Sequence, residues 1–283
     1  MIIIDGKKLG REILGEVKDA VARLPFQPVF TDVLVGDDPS SVQYVGMKAR
    51  KAESVGIKFH NASFPATITT PELIEEIKKL NKVPSMCGII VQLPLPEHLD
   101  RRAVLDAIDP HLDVDCLGTS ASTEFYNGNT SLGFPTALAC IAILDSLNLD
   151  LKDPRQDGAS KKIVVLGQGE LVGKPVFALL NFRGLNPAAV TRKTENKEQI
   201  LKEADVIISG IGHGKHITGE MVKEGVVLID AGTSESNGAI VGDIDLESVK
   251  EVASYISPVP GGVGPVTVAM LLKNVLTVAQ NLK

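Results

Sequence analysis

Apolar residues fall along this chain in short unbroken runs that alternate with stretches at helical spacing. That alternation predicts parallel sheets covered by helices. In the first half, residues 28–35 read as a strand, 41–55 as a helix, 58–64 as a strand, 71–80 as a helix and 88–93 as a buried strand. The second half opens with a strand over 162–166, a glycine loop over 167–173 and a helix near 175–180. Strands follow at 188–190, 206–211 and 226–231, then a helix over 246–252 and a short strand at 255–257. That order is a doubly wound, Rossmann-type dinucleotide fold. The polar stretch 152–161 marks a connection between units. A last helical run (Val266, Ala269, Leu272, Val275, Ala279) lies beyond, and pattern alone leaves open whether it returns to the first half.

With 283 residues the chain is long for a single core, so two domains are expected. Apolar residues at 44% and charged residues at 23% are a globular balance, and a net charge of −6 offers no footprint for nucleic acid or an anionic membrane. Cys87, Cys116 and Cys140 are too few and too scattered for a disulfide framework or a zinc knuckle. The opening Met1-Ile-Ile-Ile-Asp-Gly6 lacks the pattern of a signal peptide, and no apolar stretch is expected to approach membrane-spanning length. The expectation is a soluble, cytoplasmic protein.

Several segments carry candidate chemistry. Residues 258–267, Pro-Val-Pro-Gly-Gly-Val-Gly-Pro-Val-Thr, combine prolines that fix φ with glycines that supply positive φ or close approach. Such a loop suits a flat ligand lying on main chain, or a rigid turn before a helix that starts near Pro265. Gly167-Gln-Gly-Glu-Leu-Val-Gly173 sits between strand and helix, where backbone N–H groups and the helix dipole attract a pyrophosphate. The next strand ends in Thr191-Arg192-Lys193, with no acid until Glu195, and two cations there favour a 2′-phosphate and hence NADP over NAD.

Tyr44 and Lys48 lie four apart and share one face of a helix, behind a Gly36–Ser40 turn that supplies an N-cap. Tyr-x-x-x-Lys also occurs in short-chain dehydrogenases, but there it follows the nucleotide loop and here it precedes it. On these two residues alone the plainer expectation is an exposed lysine beside a packed tyrosine. Gln92 comes at the carboxyl end of a buried strand, where open α/β sheets hold ligands, or it caps the turn that follows. Asp113 and Asp115 begin the crossing to the second half, as ligand groups, helix caps or solvent contacts. His213-Gly-Lys-His216 lacks an evident third ligand, so no metal is expected.

Together these pieces resemble the bifunctional methylenetetrahydrofolate dehydrogenase/methenyltetrahydrofolate cyclohydrolase family over essentially the whole chain. The likeness rests on Pro260-Gly-Gly-Val-Gly-Pro-Val-Thr267, Val91-Gln-Leu-Pro-Leu-Pro96, Tyr44-Val-Gly-Met-Lys48 and Asp113-Val-Asp115. Val172-Gly-Lys-Pro175, Ile229-Asp-Ala-Gly232 and Gly242-Asp-Ile-Asp245 support it more weakly. The resemblance implies an α/β fold: an N-terminal three-layer αβα domain over 1–135, completed by the C-terminal helix 265–283, and a Rossmann domain over 136–264. It implies a folate site between the two halves, tetrahydrofolate substrates, NADP with NAD as the alternative, and a homodimer through the nucleotide domain.

Carried onto this chain, Tyr44 stacks on the aminobenzoyl ring and Asp115 grips the pterin amino edge. Lys48, held by Gln92, serves the cyclohydrolase step. Pro260, Gly261 and Gly262 line substrate and nicotinamide. Gly167, Gln168, Gly169, Gly173, Thr191, Arg192, Gly232 and Thr233 hold the dinucleotide. The chain departs from the family in several places, including the stretch 117–126 and Thr136-Ala-Leu-Ala139, where a Thr-Pro-x-x-Gly segment is usual. Gly167-Gln168-Gly169 stands where Gly-Arg-Ser is usual, Thr191-Arg192 where a His-Ser pair is common, and Cys116 where glycine follows Asp-Val-Asp. Arg192 is the expected substitute for the missing loop arginine, and Cys116 puts the placement of Asp115 in doubt. A monofunctional NAD-linked dehydrogenase and a non-catalytic folate- or nucleotide-binding relative stay open at this point.

Overall fold

The computed structural model describes residues 1–151, 161–236 and 239–282. Strands and helices alternate through β1 (Ile2–Ile3), α1 (Gly6–Val21), β2 (Val29–Val35), α2 (Pro39–Ser54), β3 (Lys58–Phe64), α3 (Thr70–Leu80) and β4 (Met86–Val91). Three helices follow without an intervening strand: α4 (Arg101–Leu105), α5 (Thr119–Tyr126) and α6 (Pro135–Ser146). The order then resumes with β5 (Ile163–Leu166), α7 (Gly173–Phe182), β6 (Ala188–Val190), α8 (Lys197–Glu203), β7 (Val206–Ser209) and β8 (Val227–Asp230). A small hairpin of β9 (Ser234–Ser236) and β10 (Ala239–Val241) precedes α9 (Leu246–Val249), β11 (Tyr255–Ser257) and α10 (Val263–Asn281).

Two units emerge. The first is Arg11–Pro135 with Val268–Lys283, and the second is Met1–Gly10 with Thr136–Thr267. The domain limits expected from the sequence assign the first ten residues differently. They go with the second unit because Ile2 and Ile3 add a parallel strand beside Tyr255 and Ile256. The polar connection expected at 152–161 falls almost wholly outside the described residues.

The first unit is built on a parallel sheet in the order β3-β2-β4. Central β2 is buried along its whole length, which is why its sequence is a near-continuous apolar run. Asp38 caps α2 by accepting from the Ser41 amide at 2.8 Å, and Pro39 supplies the fixed φ of the first helical position. Strand β4 runs over Met86–Val91 rather than 88–93, so Gln92 lies just beyond its end, with its amide donating to the Val33 carbonyl at 2.9 Å.

The terminal helix does return to this unit. Val275 packs so close to Gly88 that a Cβ on the glycine would lie 2.9 Å from its methyl group. The buried Asn274 amide donates to the carbonyls of Val114 at 2.8 Å and Gly133 at 2.7 Å. Helix α10 also corrects the expectation about apolar stretches: its 19 residues are long and apolar enough to cross a membrane by composition. With 67% of its apolar window buried, it is a core helix of this fold.

The second unit carries a six-stranded sheet in the order β1-β11-β8-β7-β5-β6, parallel at every pairing. Its core includes Val164, Leu166, Val190, Ile207, Leu228 and Ile256. The chain leaves β5 for β6 on one side and returns to β7 on the other, so the end of β5 is the topological switch point where such folds bind ligands.

Candidate active site

In the first unit a helix, the middle of β2 and the end of β4 bring polar and charged groups together. On α2, Tyr44 and Lys48 sit four residues apart, but the expected arrangement of an exposed lysine beside a packed tyrosine is reversed. Tyr44 is 46% exposed, whereas Lys48 is buried at 8%. Helix α2 lies against β2 and β3, and Lys48, in its third turn, is among the buried residues of the helix.

The Lys48 Nζ donates to Gln92 Oε1 at 2.8 Å, and the Gln92 amide nitrogen donates to the Leu93 carbonyl at 2.8 Å. The glutamine is therefore anchored in one orientation, with its oxygen committed to the lysine. A second partner went unnoticed in the sequence: Asp32 of β2, whose Oδ2 lies 2.6 Å from the same Nζ. Its signal was there to see, as a lone acid inside the buried run Val29-Phe-Thr-Asp-Val-Leu-Val35. Burial pushes the Asp32 carboxyl above the ordinary range, and Lys48 opposes that push.

Asp113 and Asp115 are held close by. The segment is tied to β4 by the Ile89 amide, which donates to the Leu112 carbonyl at 2.8 Å, and to α10 by Asn274. Asp113 is buried, and its Oδ2 accepts from the Gly118 amide at 2.7 Å, so it shapes the turn into α5 rather than meeting solvent. Cys116 takes a left-handed φ of 58°, the conformation a glycine would adopt freely. The turn thus survives the substitution, at a backbone cost of about 1 kcal/mol. Asp115 remains half-buried. Burial, aided by Asp113 and Asp32 and opposed by Lys48, pushes its carboxyl up to about 7.

The second unit bears the glycine loop at the switch point. Gly167 has φ 93°, and a Cβ there would stand 2.8 Å from the Gly210 carbonyl oxygen. At Gly173, the first residue of α7, a Cβ would overlap the carbonyl of Gly167, while Gly169 faces open space. Helix α7 has no side-chain N-cap, which leaves its N-terminal end to an incoming acceptor. This bare, close-approach surface fits a dinucleotide pyrophosphate.

Gln168 turns back to donate to the Gly167 carbonyl at 2.8 Å. After β6, the Thr191 amide donates to Thr194 Oγ1 at 2.9 Å, forming a tight turn that presents Arg192 as an exposed side chain. Gly232 is buried against Asp243, and Thr233 beside it is exposed.

Below these loops two buried acids clasp the strand ends. Asp230 accepts from the amides of Gly232 at 3.0 Å, Asp243 at 3.1 Å and Ile244 at 2.9 Å. Asp243 accepts from Ser209 Oγ at 2.7 Å and from the amides of Ile211 at 2.8 Å and His213 at 2.9 Å. His213 and His216 pack ring edge to face at 4.9 Å, and no cluster of three or more metal-type ligands occurs among the described residues.

In the loop ahead of α10, Gly261 has φ 106° and Gly262 is pressed against Ser257 and the backbone of Gly6. Gly264 needs neither positive φ nor space, and the helix starts at Val263, ahead of Pro265. Both Leu93–Pro94 and Val259–Pro260 are cis. The sequence-predicted residues therefore form two groups: Tyr44, Lys48, Gln92 and Asp115 on the first unit, and the dinucleotide-loop residues with Pro260–Gly262 on the second.

Comparison with known proteins is consistent along the whole chain. Residues 4–115 match the catalytic domain of tetrahydrofolate dehydrogenase/cyclohydrolase, and residues 135–283 match its NAD(P)-binding domain. Bifunctional protein FolD from Nautilia profundicola is 40% identical over 285 residues, covering 99% of this chain and 98% of the relative. Among solved structures, the bifunctional FolD enzyme of Campylobacter jejuni has a TM-score of 0.93 at 36% identity, covering 99% of both chains. The FolD of Trypanosoma brucei, solved with NADP and an inhibitor, has a TM-score of 0.90 at 32% identity, covering 99% of this chain and 97% of that one. By full-length sequence and by fold, the chain belongs to the tetrahydrofolate dehydrogenase/cyclohydrolase family.

Proposed function

We infer that this chain is a bifunctional enzyme of one-carbon metabolism. It oxidises 5,10-methylenetetrahydrofolate to the 5,10-methenyl form with NADP and hydrolyses that product to 10-formyltetrahydrofolate. Family membership over the full length supports the pair of activities. The observation that carries the second one is the buried Lys48, whose Nζ is held 2.8 Å from Gln92 Oε1.

The two steps ask different things of the protein. NADP, when bound, accepts the hydride at its nicotinamide ring, and the protein need only hold donor carbon and ring together. Gly167, Gln168, Gly169, Gly173, Gly232 and Thr233 take the dinucleotide, with Thr191 and Arg192 placed for its ribose and 2′-phosphate. The methenyl product is already an electrophile. Water adds to its carbon, one proton leaves, and opening of the ring requires a proton to pass from the new hydroxyl to the departing nitrogen. Lys48 Nζ is the group that holds and passes that proton, with Gln92 fixing its position.

Tyr44 offers its exposed ring to the aminobenzoyl group, and Asp115 accepts from the pterin amino edge. Pro260, Gly261 and Gly262 present bare backbone to substrate and nicotinamide. The protein acts in the cytoplasm as a homodimer through the dinucleotide unit. Exposed Ala188 and Ala189 on the edge strand β6, with the half-exposed Phe182, support that reading.

The test supplies purified protein with methylenetetrahydrofolate and NADP, following reduced nicotinamide and the methenyl chromophore separately. The wild type should form both products. Lys48→Met should lower cyclohydrolase turnover by roughly a hundredfold or more while retaining most of the hydride transfer. Equal loss of both in a folded variant would refute this division of labour.

A further inference from the structure

Asp32 has no place in the roles assigned so far, yet its position is costly. It sits in the middle of β2, whose seven residues are all buried, and its side chain is wholly covered. A carboxylate there forfeits its hydration, and an apolar side chain would fill the space without that loss. Neither of its oxygens makes a hydrogen bond of good geometry among the described residues, but its Oδ2 forms an ion pair with Lys48 Nζ at 2.6 Å. That nitrogen also donates to Gln92 Oε1 at 2.8 Å.

An ammonium has three N–H donors in a fixed tetrahedral array. One acceptor leaves it free to spin about the contact, whereas a hydrogen bond from one segment and an ion pair from another restrict it in two directions at once. Gln92 alone cannot orient Lys48, but Gln92 and Asp32 together can. The other acids nearby are Asp115, which interacts with Lys48, Asp32 and Asp113, and Asp113 itself. Asp113 already accepts from the Gly118 amide. Asp32 is therefore the acid in direct contact with the ammonium.

We propose that Asp32 is a positioning residue for the cyclohydrolase step, holding the Lys48 ammonium by its ion pair while Gln92 holds it by a hydrogen bond, so that the ammonium faces the reacting substrate. The inference rests on the assignment of proton movement to Lys48. A mere counter-ion, present only to make a buried lysine tolerable, predicts a loss of stability and an equal fall in both activities. A positioning group predicts a split between them.

The experiment compares full-length Asp32→Asn, which keeps shape and one acceptor but removes the charge, with Lys48→Met and the wild type. Asp32→Asn should lower cyclohydrolase kcat about tenfold further than hydride-transfer kcat, with KM for the methenyl substrate within about threefold. Equal loss of both activities, or cyclohydrolase indistinguishable from wild type, overturns the inference. If Lys48→Met keeps its cyclohydrolase, the Lys48 assignment falls and this inference with it. If only Asp32→Asn is unaltered, the Asp32 role alone is wrong. Should the asparagine variant not fold, Asp32→Val, apolar and of similar volume, is read by the same split.

Discussion

Each unit buries a cluster of aspartates, and the two clusters are built on opposite principles. In the second unit Asp230 and Asp243 are saturated: their oxygens accept from five backbone amides and one serine hydroxyl of the surrounding loops. In the first unit both oxygens of Asp32 and one of Asp113 are buried without a hydrogen-bond partner among the described residues, and the lysine among them has one hydrogen bond, to Gln92, and one ion pair, to Asp32, for its three donors. The buried acids of the second unit behave as rigid clasps, because every carboxylate oxygen accepts at least one hydrogen bond. Unsaturated ones hold polar capacity in reserve, at a cost that a purely structural element has no reason to bear. The difference teaches where to look for chemistry: at the acids whose hydrogen bonding is unfinished.

The largest effect expected from breaking the contrast comes at the clasp. Asp243→Ala leaves Ser209 Oγ and the amides of Ile211 and His213 without their acceptor and should cost about 3 kcal/mol of stability, read by denaturant unfolding. In the protein that remains folded, the ratio of the two activities should match wild type. A changed ratio would mean that the saturated cluster also takes part in the chemistry.

A smaller effect sharpens the other side. The Asp115 carboxyl, pushed up to about 7 by burial, must be ionised to grip an amino edge. Folate KM should therefore rise as pH falls through that value, by roughly tenfold between pH 8 and pH 6. The sign follows from the raised pKa: below it the protonated, neutral acid dominates and the charge-assisted bond is lost. Asp115→Asn should flatten the dependence, and a variant that retains it places the titrating group elsewhere.

An effect of similar size concerns cofactor choice, which lies outside both acidic clusters. Arg192→Ala should reduce the preference for NADP over NAD by roughly tenfold, the worth of one charge-assisted contact on a solvent-facing turn. Steady-state kinetics with each dinucleotide measure it. An unaltered preference would leave Arg192 as a solvated side chain.

Much of the fold could be read in advance because buried parallel strands are continuous apolar runs. Strands β3, β6 and β11 occur at the limits the pattern suggested, and β2 within one residue. What the pattern missed are elements with weak or mixed signals. The two-residue β1 is too short to show a period, and the unusually apolar α6 shows no polar face. The motif residues Lys48, Gln92 and Asp115 were visible because polar groups at strand ends and on one helix face stand out.

Asp32 was passed over for the opposite reason. A single acid in an apolar run looks like an exception until the residue across from it is known, and Lys48 is distant in sequence. Tyr44 and Lys48 show the same limit: spacing puts them on one helix face, but only docking of α2 on the sheet decides that the lysine is buried and the tyrosine exposed. Local sequence thus determined which segments are strands, which loops are bare of side chains, and which family the chain joins, since these depend on neighbours along the chain. Tertiary structure alone decided which charges meet, because burial and Coulomb attraction act through space between residues that the sequence keeps apart.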